Sequence, residues 1–123
     1  MYADYLVEMT TGGQTVWEWR VWEHLDPETD GHTSPGDSRA VWTLGNAVRE
    51  LPDGNILLSM RNTSSVVRIN RQTGEIDWKL GAPPLAGQHA PTPLPDGNYL
   101  IRSPKASSAV DGATRNGFQT ATH

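Results

Sequence analysis

Cysteine is missing from this 123-residue chain, which excludes disulfides and thiolate metal sites outright. Apolar residues are scarce as well. They make up 36% of the chain, against roughly 45–50% in an average globular domain counted with glycine. No apolar run approaches the ~18 residues of a membrane span. The opening Met1-Tyr2-Ala3-Asp4-Tyr5-Leu6 has no basic stretch leading into an apolar one, so it lacks the pattern of a secretory signal. Basic residues are outnumbered too, and a formal net charge of −4 gives no footprint for nucleic acid. Turn formers, by contrast, are plentiful. Twelve Gly and nine Pro argue for many short segments and turns rather than long helices. Five Trp supply large, stiff pieces for a compact core.

The strongest organising signal is an internal repeat. Leu51-Pro52-Asp53-Gly54-Asn55 recurs 43 residues later as Leu94-Pro95-Asp96-Gly97-Asn98. Blades of four-stranded propellers repeat at about 40–45 residues. Asp-Gly is a tight-turn dipeptide that reaches positive φ readily, and an apolar run follows each copy: Ile56-Leu57-Leu58 and Tyr99-Leu100-Ile101. Between the copies, Val66-Val67-Arg68-Ile69-Asn70 ends at the polar turn Arg71-Gln72-Thr73-Gly74. Glu75-Ile76-Asp77-Trp78-Lys79-Leu80 then alternates polar and apolar, the period of a half-buried strand. With Ala47-Val48-Arg49-Glu50-Leu51, this makes four strands from about 46 to 80. The spacing predicts an all-β fold, a β-propeller fragment of about two four-stranded blades with an irregular C-terminal tail.

The expected organisation follows from this reading. Residues 1–22 form a hairpin of a preceding blade, with Trp17 and Trp19 on one face and Trp22 leaving the strand. Residues 23–40, rich in Asp, Gly, Pro and Ser, form a long polar loop at the mouth or rim, functional or disordered. Residues 41–81 are a complete blade and 82–101 the start of the next. From 102 to 123 only Val110 and Phe118 are bulky and apolar, the composition of a disordered tail, and no strand is expected there. His24 and His32 flank a loop carrying Asp26, Glu28, Asp30 and Asp37, but their spacing matches no closed metal site.

Several motifs fall in a telling order. These are Val16-Trp17-Glu18-Trp19, His24-Leu25-Asp26-Pro27, Trp42-Thr43-Leu44-Gly45-Asn46-Ala47-Val48, Ser59-Met60-Arg61-Asn62, Thr73-Gly74-Glu75-Ile76-Asp77-Trp78 and Gly87-Gln88-His89. In order and spacing, from about residue 4 to 101, they resemble the arylsulfotransferase family. The resemblance implies a six-bladed propeller with its site in the central channel. It further implies transfer of a sulfuryl group from a phenolic sulfate ester to a phenol, with no nucleotide sulfate donor and no cofactor or metal. It places the nucleophile at His89, the histidine of the Gln-His pair. Arg61 of Ser-x-Arg and Asn46 of the His-x-Asn motif would hold the sulfuryl oxygens. Much of the family is periplasmic or secreted.

The residue types suit that chemistry. A neutral imidazole can attack sulfur and split one hard displacement into two easier ones. A guanidinium and an amide N–H aimed at the equatorial oxygens stabilise the charge spread over them. Two departures stand against the family pattern. Leu44 occupies the position of the motif histidine and can donate no proton. After Ile101 the chain reads Arg102-Ser103-Pro104-Lys105 where the family continues with an Asp-Asn-Gly segment, as a shifted frame or an artificial end would produce. A further family histidine would precede Met1. The chain alone is therefore expected to be inactive, as an incomplete transferase. The rival expectation is a non-catalytic propeller piece for binding or scaffolding, with Thr73-Gly74 and Trp78 packing blades together as in quinoprotein-type propellers.

Overall fold

A computed structural model describes residues 1–104 and 118–121, and within these the chain is built of nine strands and one 3₁₀ turn. The strands are β1 (Tyr5–Met9), β2 (Thr15–Arg20), β3 (Gly45–Glu50), β4 (Ile56–Met60), β5 (Ser65–Ile69), β6 (Ile76–Leu80), β7 (His89–Pro93), β8 (Tyr99–Arg102) and β9 (Phe118–Ala121). They form three antiparallel meanders, β1-β2, β3-β4-β5-β6 and β7-β8-β9. The four strands read between about 46 and 80 make up the middle sheet in chain order. No closed barrel forms among the described residues.

The repeated pentapeptide builds the same turn twice. Leu51 N–H donates to Asn55 O at 2.8 Å and Gly54 N–H to Leu51 O at 2.9 Å, while Leu94 N–H donates to Asn98 O at 2.8 Å and Gly97 N–H to Leu94 O at 3.0 Å. Asp53 and Asp96 each accept from the N–H two residues on, both at 3.0 Å. Gly54 and Gly97 both sit at φ +89, in the left-handed region where a Cβ is penalised. The Pro-Asp-Gly-Asn sequence is thus a hairpin instruction, and it delivers β4 and β8 in equivalent places.

The inner strands of the middle sheet, β4 and β5, are largely apolar on both faces because they are covered on both. All five residues of β4 are buried. Successive side chains of a strand point to opposite faces. Accordingly Ile56, Leu58 and Met60 join Trp19, Val21, Trp42, Val67 and Ile69 in one core. Leu57 faces the other way, into a core with Leu51, Val66, Leu85, Tyr99 and Ile101. The run Ile56-Leu57-Leu58 therefore reflects two-sided burial. Each such side chain contributes about 1.5–3 kcal/mol when fully buried.

The first sheet is tied to the second through indole N–H groups. Trp19 Nε1 donates to Gly74 O at 2.8 Å and Trp17 Nε1 to Arg71 O at 3.0 Å. Both acceptors lie in the β5–β6 turn, and the Arg71 guanidinium rests 5.1 Å from the Trp17 ring. Trp19 is 2% exposed and His24 stacks on it at 4.9 Å. The Trp17/Trp19 alternation thus buries one face of β2 against the next sheet.

The loop 23–40 is held at several points. Trp42 Nε1 donates to Asp30 O at 2.8 Å, Thr33 N–H to Asn62 O at 3.0 Å, and Lys79 Nζ pairs with the Asp30 carboxylate. His32 Nε2 lies 2.6 Å from Val41 O. The irregular tail expected from 102 onward falls largely on residues outside those described. Contrary to the expectation of no strand in this stretch, Phe118–Ala121 pairs antiparallel with β8, meeting N–H and C=O groups that the edge of β8 would otherwise leave unpaired.

Two outcomes follow. Trp19→Phe keeps the apolar ring but leaves the Gly74 carbonyl without its donor, and chemical denaturation should show a loss of about 2 kcal/mol. Burial raises the Asp30 carboxyl, but Lys79 and the Asp26 N–H outweigh it and hold the group below its usual range. Its contribution is then present above the unfolded carboxylate value, ~3.9, and lost as pH falls through the lower folded value. Asp30→Asn should lower the thermal midpoint at pH 7, and the gap to the parent chain should close on acidification below about pH 4.

Candidate functional site

The segment leading into β3 is strapped by the N-terminus. Tyr2 N–H donates to Ala40 O at 2.7 Å and Trp42 N–H to Tyr2 O at 2.8 Å. Asp4 N–H donates to Thr43 Oγ1 at 3.2 Å, and the Asp4 carboxylate accepts from Thr43 Oγ1 and, at 2.7 Å, from Gly45 N–H. A Cβ on Gly45 would meet Asp4 Oδ1 at 2.7 Å, so only glycine lets this carboxylate seat on the backbone. The next residue is Asn46. In the ladder Gly45 faces Met60 and Ala47 faces Ser59, which leaves Asn46 as the extra residue of a bulge. Bulges re-aim a side chain beside a site.

His89 opens β7 and also stands at a break in register, between the His89–Arg102 and Thr92–Leu100 pairs. Ala90 has φ +51, unusual for a residue with a Cβ. Irregular backbone on two strands brings two of the expected residues together. Asn46 Nδ2 lies 2.9 Å from His89 Nδ1 and donates to Gln88 O at 2.7 Å.

Gln88 fixes this junction from beneath. Its side chain is fully buried, and Nε2 faces three acceptors: Ser59 Oγ at 3.0 Å, Met60 O at 3.1 Å and Ser65 O at 2.9 Å. Ser59 Oγ also approaches Gln88 O at 3.4 Å. The amide therefore joins β7 to β4 and β5. Its own Oε1, like Asn46 Oδ1, is buried without a partner.

Arg61 follows β4 directly. Its N–H donates to Leu44 O at 3.0 Å and Asn62 N–H to Thr43 O at 3.0 Å, so the approach to β3 is stitched to the residues after β4. The Arg61 guanidinium donates to Asp37 Oδ1 at 3.1 Å and Asn62 Oδ1 at 3.0 Å. It does not bond Asn46 or His89. The Asp37 ion pair is partly buried, with side chains 26% and 14% exposed. Leu44 has φ +52 and is 42% exposed.

A family model for arylsulfotransferase (ASST) matches residues 1–88. The chain belongs to the arylsulfotransferase family. No curated protein and no solved structure matches it. The matched span contains Leu44, Asn46, Arg61 and Gln88 and ends one residue before His89. Within this arylsulfotransferase chain, the link from the matched region to His89 is therefore physical: the Asn46 amide touches its ring.

Gln88 and Ser59 stand in the motifs beside His89 and Arg61, and nothing in the local sequence gives them a role. A glutamine beside a candidate histidine carried a signal, but only the folded chain reveals three acceptors waiting for one NH₂ group. Asp37 sits among other loop acids, and nothing in its local sequence pairs it with Arg61. Gln88→Leu removes the donor and leaves buried acceptors on β4 and β5. We expect a loss of about 1–3 kcal/mol by denaturant titration, with the cost concentrated in β7 by amide hydrogen exchange.

Proposed function

We propose that this chain is part of an aryl-sulfate sulfotransferase propeller in which His89 receives the sulfuryl group. The observation that carries the reading is the contact between Asn46 and His89, 43 residues apart, in a chain of this family. An imidazole lone pair attacks sulfur, the N–S bond forms as the S–O bond to the aryl group breaks, and the phenolate leaves with the electron pair. A phenol oxygen then attacks the same sulfur, the N–S bond breaks, and the phenol proton goes to solvent. Arg61 and Asn46 are the groups proposed to meet the sulfuryl oxygens, the guanidinium by charge-assisted hydrogen bonds. Donor and acceptor are an aryl sulfate and a phenol, and no cofactor enters these steps.

We further propose that the middle sheet is one blade of a propeller, flanked by parts of two others. Such a portion encloses no channel. Leu44 also leaves the leaving phenolate without the proton donor that the motif histidine would supply. The purified chain is expected to release no phenol above background from a chromogenic aryl sulfate with a phenol acceptor; sustained turnover would refute this. In a full propeller carrying this segment, His89→Ala should cut transfer by roughly a thousandfold or more, and unchanged transfer would end the nucleophile assignment.

A second reading has its own support. The charge of Arg61 is met by Asp37, and Leu44 is an exposed aliphatic side chain at the motif histidine's position. Trp17 and Trp19 hold neighbouring sheets together through their N–H groups. These features suit a non-catalytic propeller module that binds or scaffolds. Retained structure with unchanged transfer in the His89→Ala propeller would favour it.

A further inference from the structure

The hydrogen bonds around Asn46 decide where the proton of His89 sits. A backbone carbonyl can only accept, so the Asn46 atom 2.7 Å from Gln88 O must be the NH₂ nitrogen. Turned over, the amide would set two oxygens at that distance with no hydrogen between them. The opposite atom, Asn46 Oδ1, is buried with no donor, so nothing on its side competes for the orientation. The same NH₂ group lies 2.9 Å from His89 Nδ1. With one hydrogen on Gln88 O, the other points at Nδ1, which must offer a lone pair. In a neutral imidazole the proton is then on Nε2.

We infer that Asn46 is a positioning residue that, anchored by the Gln88 carbonyl, locks neutral His89 in its Nε2–H tautomer. This deepens the transfer reading above and rests on it where it concerns sulfur. In the resting arrangement Nε2 is a hydrogen-bond donor, with no lone pair in the ring plane. Nδ1 has the lone pair but is covered by the Asn46 amide. Attack through Nε2 therefore requires a prior, charge-neutral change: the ring loses the Nε2 proton and gains one on Nδ1, while Asn46 lets go of the Gln88 carbonyl and turns Oδ1 to Nδ1–H, which frees its NH₂ for a sulfuryl oxygen. The lock is thus an off state of the nucleophile. An oxygen of a bound sulfate ester would be met first by the Nε2–H as a donor.

Long-range ¹H–¹⁵N correlation spectra of the full chain, labelled at histidine nitrogens, test this directly. His89 is assigned by its loss in His89→Gln. The parent chain should show limiting shifts, with Nε2 protonated and Nδ1 bare. Asn46→Ala, which frees the ring, should move both nitrogens toward the averaged values of an unrestrained imidazole. Asn46→Asp, whose carboxylate only accepts, should place a proton on Nδ1. A parent ring that is already averaged, or protonated on Nδ1, overturns the lock whether or not either variant folds. So does a folded Asn46→Asp chain with Nδ1 still bare. The outcome is separable from the transfer reading: a locked ring in a propeller indifferent to His89→Ala sinks transfer and keeps the lock, and an averaged ring in a propeller that needs His89 does the reverse.

Discussion

One buried amide organises the polar part of this molecule. Gln88 lies fully buried between the second and third sheets, where no solvent can serve its donors. Its NH₂ group is instead met by Ser59, Met60 and Ser65 on β4 and β5. An NH₂ group buried in that position carries a large cost if unmatched, so its three acceptors hold the start of β7 at one depth and one angle. Its backbone carbonyl then receives Asn46, and His89 follows as the next residue. The orientation of the imidazole descends from this chain of contacts.

The apolar packing makes that precision attainable. A strand buried on both faces cannot slip by one residue without exchanging its two cores, and β4 supplies Ile56, Leu58 and Met60 to one side and Leu57 to the other. The Trp17 and Trp19 N–H groups grip the β5–β6 turn, so the first sheet seats in one register against the second. The N-terminal strap, through the Asp4 carboxylate on Gly45, brings the Asn46 bulge to the same level. Leu44, Asn46 and Ala90 lie in backbone that departs from ideal strand geometry. That irregularity sits where side chains must be aimed.

Much of the fold was legible in local chemistry. Pro-Asp-Gly-Asn at 52–55 and 95–98 is a turn whose geometry needs glycine at positive φ, and it recurs with the same hydrogen bonds. The alternation Ile76-Asp77-Trp78-Lys79-Leu80 reads as an outer strand, and its residues alternate between half-buried and exposed. The loop 23–40 was less legible. Its polarity suits solvent, yet Asp30, Thr33 and Asp37 fasten it to Lys79, Asn62 and Arg61. Those partners lie from about 24 to 49 residues away, beyond the reach of any local pattern.

The candidate site divides the same way. Asn46, Arg61 and His89 could be named from their motifs because each belongs to a short segment with a recognisable order of residue types. That Asn46 meets His89 while Arg61 turns to Asp37 is a fact of three dimensions. Sequence by itself determined the four strands of the middle sheet, the repeated turns, and which side chains could carry charge or a proton, since these depend on neighbours a few bonds apart. Tertiary structure alone decided which groups touch, and so that the Asn46 amide meets Nδ1 of His89, because a hydrogen bond is set by distance and direction between sheets that only packing brings together.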